Sequence, residues 1–123
     1  MGDISANLSR HEFACQCECG LDTVDFETVM VVQDVCDEFD CRVTINSGCR
    51  CKKHNRTVSG SEKSKHVECR AADCKFHGPL PNQVHEYLCG KYPDQYGFGA
   101  YATFNHIDTR TGGPARWDRA PLR

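Results

Sequence analysis

Three residues of metal-binding type, held on separate segments, constrain this chain most. His66 and Asp73 lie seven apart in Ser64-Lys65-His66-Val67-Glu68-Cys69-Arg70-Ala71-Ala72-Asp73, and His106 stands far downstream in Phe104-Asn105-His106-Ile107-Asp108. Two imidazoles and one carboxylate form the three-ligand set of a catalytic Zn2+, whose fourth position stays open to water. A fold that uses them must bring a loop, the strand after it and a late strand to one point.

The local patterns allow that. Asp22-Thr23 offers a cap for a helix from Val24 to Phe39, with Val29, Val32, Cys36 and Phe39 on one face. Arg42-Val43-Thr44-Ile45-Asn46-Ser47 alternates as a strand and stops at Gly48. The polar run Ser59 to Ser64 is a loop leading to His66, and Cys69 to Cys74 has the length and apolarity of a buried strand. Pro79-Leu80-Pro81-Asn82 precedes a second helix, with Val84, Tyr87 and Leu88 on one face and an end near Gly90. Strands are expected at Gly97 to Tyr101 and Phe104 to Asp108, and Gly112-Gly113-Pro114 closes the folded part. The order α, β, loop, β, α, β, β predicts a small α+β domain, its helices packed on a short, mainly antiparallel sheet that carries the zinc site.

On a strand, His106 and Asp108 point to the same face. Asp108 is therefore either the general base or the partner that holds His106 in place. Zinc on two neutral histidines and one aspartate keeps residual positive charge, which lowers the pKa of a bound water toward about 7. His11 reads as a capping or surface residue, His54 as a packing partner of the Arg50 segment, and His77 and His85 as solvent-facing.

Residues flanking the three candidate ligands carry a resemblance. Ser47-Gly48-Cys49-Arg50-Cys51-Lys52-Lys53-His54-Asn55, Ser64-Lys65-His66, Ala71-Ala72-Asp73, Gly97-Phe98-Gly99, Phe104-Asn105-His106-Ile107-Asp108-Thr109-Arg110 and Arg116-Trp117 occur in that order. In that order they resemble the zinc D-Ala-D-Ala carboxypeptidase-like peptidases, the peptidoglycan-cleaving family that includes VanY-type enzymes and many phage endolysins. The likeness runs from Leu8-Ser9-Arg10-His11-Glu12-Phe13 to Trp117. It implies a hedgehog/DD-peptidase-like fold, His66, Asp73 and His106 at the family's zinc positions, and the peptide stem of the bacterial wall as substrate. It also implies that Arg50 holds a substrate carboxylate or the charge developing on the attacked carbonyl, and that Ser64 bonds substrate or the ligand loop. Two departures stand out. Several relatives carry an acid or histidine shortly before the last zinc histidine, where this chain has Thr103 and Phe104, and Cys49 replaces a common aromatic residue.

Length and charge narrow the rest. The 123 residues fit one domain, 1–123. A net charge of -2, with basic and acidic residues interspersed, gives no field for nucleic acid. No apolar run is long enough for membrane insertion and the start lacks a secretory signal, so the expectation is a monomer made in the cytoplasm; the resemblance implies that it acts on the cell wall after release, with help from a protein such as a holin. Ten cysteines sit awkwardly with cytosolic synthesis. Their readings are a second, structural metal on Cys15, Cys17 and Cys19, a disulfide tying the N-terminal cysteines to Cys49 or Cys51, or buried thiols. The competing function classes are a non-catalytic zinc module stabilised by cysteine and an inactive binder of wall peptide.

Overall fold

A computed structural model describes residues 2, 5–15, 25–49, 58, 65–66 and 69–119. A single 3-10 turn, Arg10–Phe13, leads in, closed at its start by Glu12 accepting from the Ser9 amide. Helix α1 spans Phe26–Phe39. It begins later than expected because Asp25, rather than Asp22 or Thr23, supplies the cap, accepting from the Glu27 amide. It ends where Asp40 turns left-handed at φ 47°.

Strand β1, Arg42–Ser47, matches the sequence expectation. Strand β2, Ala71–His77, starts two residues later than expected and runs three further. Cys69 sits at φ 59° and belongs to the turn before the strand, which explains the late start. The extension follows alternation. Cys74 and Phe76 point into the core while Lys75 and His77 are exposed, a period-two pattern that the preceding apolar run conceals. Helix α2, Pro81–Lys91, follows with proline in its first turn, and then β3, Gly97–Ala100, and β4, Asn105–Asp108.

A fifth strand, β5, covers Ala115–Asp118. The folded part therefore does not close at Gly112-Gly113-Pro114; those residues lead into another strand. The strand order is β1-β2-β4-β3-β5, with β3 and β5 parallel and the other pairs antiparallel, so the sheet is mixed. Four residues with two charges gave β5 no apolar signal. It is held by Arg116, whose guanidinium donates to the carbonyls of Tyr92, Gln95 and Tyr96 and lies 4.5 Å from the Phe98 ring.

Both helices cover one face of the sheet. Val29, Val32 and Val35 from α1 and Val84 and Leu88 from α2 pack with Ala72, Cys74, Phe76, Phe98 and Ile107. Each buried Val, Leu, Ile or Phe side chain among them contributes about 1.5–3 kcal/mol by leaving water. Cys74 and Cys36 belong to this core, and burial pushes the Cys36 thiol up to about 12, as expected of cysteines that pack as small hydrophobes. The opposite face carries polar side chains.

Asp34 joins the helices, its carboxylate accepting from Tyr87, Tyr92 and Lys91 at 2.6–2.7 Å. Burial raises its pKa, but the bonds from Lys91, Tyr92 and Tyr87 outweigh that and hold it below the usual value. A depressed folded pKa means stability that is present above the unfolded value of 3.8 and lost as pH falls through the folded one. Asp34→Ala should thus cost about 1–3 kcal/mol at pH 7. In urea denaturation the gap to the parent should narrow below pH 4; a gap independent of pH would contradict this.

Candidate metal centre

The open face of the sheet holds the three predicted ligands together. Asp73 on β2 pairs in register with His106 on β4, so their side chains leave the same face side by side. His66 arrives from the turn before β2, a turn closed by the Cys69 amide donating to the His66 carbonyl and the Arg70 amide to that of Lys65. Ligand atoms of His66, Asp73 and His106 all lie within 4.8 Å of one another. Among the described residues this is the one such group of three or more.

The protons of the two rings are directed by their far sides. His66 is buried, and its Nδ1 donates to the Gly48 carbonyl at 2.6 Å, which leaves Nε2 facing Asp73 Oδ2 at 3.2 Å. Nε2 of His106 donates to Asp108 Oδ2 at 2.8 Å, leaving Nδ1 at 2.9 Å from Asp73 Oδ1. Each imidazole thus turns one nitrogen toward the same carboxylate. The two close approaches, 2.9 and 3.2 Å, are to different oxygens of Asp73, so a zinc with bonds of about 2.0–2.1 Å would need the carboxylate and rings to shift to bring one oxygen and both nitrogens onto it. Burial raises the Asp73 pKa, yet its bonds to His106 and His66 outweigh burial and hold it well below the carboxylate range. For His106, burial opposes the charged form and the bonds to Asp108 and Asp73 overcome it, raising its pKa. A cation placed among these groups would take over the role that an extra proton plays on the His106 ring.

Asp108 is wholly buried. The Arg110 Nε and Nη2 grip its two oxygens at 2.7 Å each, the Arg110 amide adds a third bond at 3.2 Å, and His106 a fourth. Burial raises its pKa, but Arg110 and His106 more than reverse that and keep it ionised far below the usual range. The carboxylate is clamped between the Arg110 guanidinium and the His106 ring.

Two glycines make room for this cluster. A Cβ at Gly97 would come within 2.5 Å of the Asp108 carboxylate, and one at Gly99 would collide with the Trp117 indole. Trp117, from the unforeseen β5, lies 5.2 Å from the His106 ring and donates its Nε1 proton to the Tyr101 hydroxyl at 2.8 Å. A seam at the strand ends fixes the register: the Thr109 amide bonds the Arg70 carbonyl, and the Thr109 hydroxyl meets Thr28 on α1 at 2.7 Å.

Arg50 and Ser64, expected at the substrate, lie outside the described residues, as do His54, Cys17, Cys19 and Cys51. Cys49 is joined to Cys69 by a disulfide, so it is not the partner of an N-terminal cysteine. The N-terminal segment instead meets Cys49 through its backbone, the Cys49 amide donating to the Phe13 carbonyl at 2.8 Å. The bridge ties the end of β1, whose Gly48 carbonyl orients His66, to the turn carrying His66. Replacing both cysteines by serine should cost about 3 kcal/mol, given a loop of 20 residues, and weaken zinc binding by loosening His66. Unfolding curves and a zinc titration of the double variant check this; unchanged values in both would contradict it.

His11 and His77 are exposed, as expected, with His77 bonded to Thr44. His85 departs from its solvent-facing reading: its Nδ1 is buried without a partner among the described residues, and burial lowers its pKa. Arg110 and Trp117 had no predicted role. The signal for Arg110 was the two-residue spacing, which it continues from His106 and Asp108 just past the end of β4.

Comparison with known proteins adds one match. A family model described as Peptidase M15 matches residues 6–108, which include all three candidate ligands and Asp108. No curated protein matches the chain.

Proposed function

Because the chain belongs to the peptidase M15 family, whose members are zinc-dependent metallopeptidases, we propose that it hydrolyses amide bonds in the peptide stems of peptidoglycan, as a D-Ala-D-Ala carboxypeptidase or an endolysin-type endopeptidase. The observation that carries the reading is the convergence of His66, Asp73 and His106 on one point of the open sheet face. Zinc bound there supplies a Lewis acid for the attacked carbonyl and acidifies water.

The chain's own residues prepare that centre. Gly48 fixes His66 in the tautomer with a free Nε2, Asp108 does the same for Nδ1 of His106, and Arg110 holds Asp108. Of the two roles open to Asp108, orienting His106 is the better supported. A buried carboxylate whose oxygens are bound by Arg110 and His106, and whose pKa is depressed, is a weak proton acceptor. Trp117 walls the ring of His106 on the side of β5. Arg50, two residues after Gly48 in sequence, is proposed to hold a substrate carboxylate, and Ser64 to bond substrate beside His66.

The proposed setting is a monomer acting on the wall after release from the cell that makes it. Among the described residues no helix is long and apolar enough to cross a membrane. Incubating the zinc-loaded protein with purified peptidoglycan and identifying released ends by mass spectrometry tests the reading. New amine and carboxyl ends at stem-peptide amides are expected; none, with zinc bound, would sink it.

A further inference from the structure

Two residues along β2 from Asp73, on the same sheet face, stands a lysine whose ammonium has no partner among the described residues. Lys75 lies two residues beyond Asp73 on β2, so the two side chains leave the same face from Cα atoms roughly 6.6 Å apart. It is exposed, and its side chain makes no hydrogen bond or ion pair among the described residues. It lines a cavity of about 210 Å³ together with Pro79, Leu80, Pro81, Thr103 and Phe104, and no carboxylate lines that cavity.

An aromatic wall connects the cavity to the triad. Phe104 is stacked on Tyr101 with ring centres 4.5 Å apart, Tyr101 accepts from Trp117, and Trp117 sits beside His106. Helix α2 begins at Pro81, in the cavity wall, so its positive end lies at the same space as the Lys75 ammonium. The cavity, which Phe76 and Asn105 also line from the core side, therefore combines the Lys75 cation, a helix start and apolar surface at the end of the sheet where β2 runs past β4.

We propose that this cavity is a carboxylate subsite, in which Lys75 binds an anionic group of the peptide substrate near the scissile amide while Phe104 packs on the adjoining backbone. The proposal rests on the peptidase reading above and deepens it by making charge a determinant of substrate choice. A stem peptide offers two carboxylates of this chemistry, its C-terminal one and the α-carboxylate of a γ-linked D-glutamate. A lone exposed ion pair is weak. Partial enclosure and the helix end strengthen this one.

The test uses four synthetic stem pentapeptides: both carboxylates free, each amidated in turn, and both amidated. The zinc-loaded parent should prefer one free carboxylate over its amide by about tenfold in kcat/KM, and the position affected identifies the source. In Lys75→Met the preference should fall to about twofold or less, and Lys75→Glu should reverse it. No preference in the parent, or one that survives both substitutions, overturns the subsite. If the parent cleaves none of the four, the hydrolase reading fails, and binding of the same peptides to the zinc-loaded protein, followed by NMR shifts, decides the subsite. Carboxylate-dependent binding lost in Lys75→Met supports it; binding indifferent to the carboxylates or to Lys75 overturns it. Matching unfolding curves confirm that the exposed substitutions leave the fold intact.

Discussion

Replacing Asp73 by Ala is expected to abolish stoichiometric zinc binding and lower peptide hydrolysis by about a thousandfold or more. Asp73 is the one ligand that both histidines face, with an oxygen toward each. Its removal leaves two neutral nitrogens, a set that lacks the third ligand of a catalytic zinc. His66→Ala and His106→Ala should act in the same direction. Zinc content after dialysis and the rate on a stem peptide are the measurements, with an unfolding curve to show that the variant still folds. Parental zinc affinity in Asp73→Ala would place the metal elsewhere.

The second large effect concerns Asp108. Asp108→Ala removes the buried acceptor between Arg110 and His106, leaving a part-exposed guanidinium without its counter-charge, and should cost about 1–3 kcal/mol of stability. The milder Asp108→Asn separates the two roles considered for this residue. If Asp108 orients His106, the variant should bind zinc about 10- to 100-fold more weakly and recover most of its rate when zinc is raised to saturation. If Asp108 is the general base, the rate should stay about 100-fold or more down at saturating zinc. The clamp geometry predicts recovery.

Much of the fold was legible because its elements obey simple periods. The stripe Val29, Val32 and Cys36 announced α1, the alternation from Arg42 to Ser47 announced β1, and Pro81 and Gly90 bracketed α2 nearly to its observed end. The clustering of His66, Asp73 and His106 was legible from residue type and context, and the register of Asp73 opposite His106 brings those two together across their sequence separation. β5 was not legible. Its stability lies in Arg116 bonding to distant carbonyls and in pairing parallel to β3, and neither leaves a local pattern. The start of α1 was misplaced because three polar residues near it can all cap, and the contact of Asp25 with the Glu27 amide decides among them only in three dimensions. The Cys49–Cys69 bridge was hidden because spacing does not fix connectivity among ten cysteines. The clamp on Asp108 lay in view as His-x-Asp-x-Arg, and only its burial shows why the guanidinium is there.

A titration of the metal-free protein with zinc, read as hydrolysis of a stem peptide, tests the central claim most directly. Activity should be absent with chelator, rise in proportion to added zinc and level off at one equivalent per chain, with no rise in Asp73→Ala. Binding of one equivalent without any new peptide ends, or hydrolysis that persists in chelator, would contradict a zinc peptidase centred on His66, Asp73 and His106.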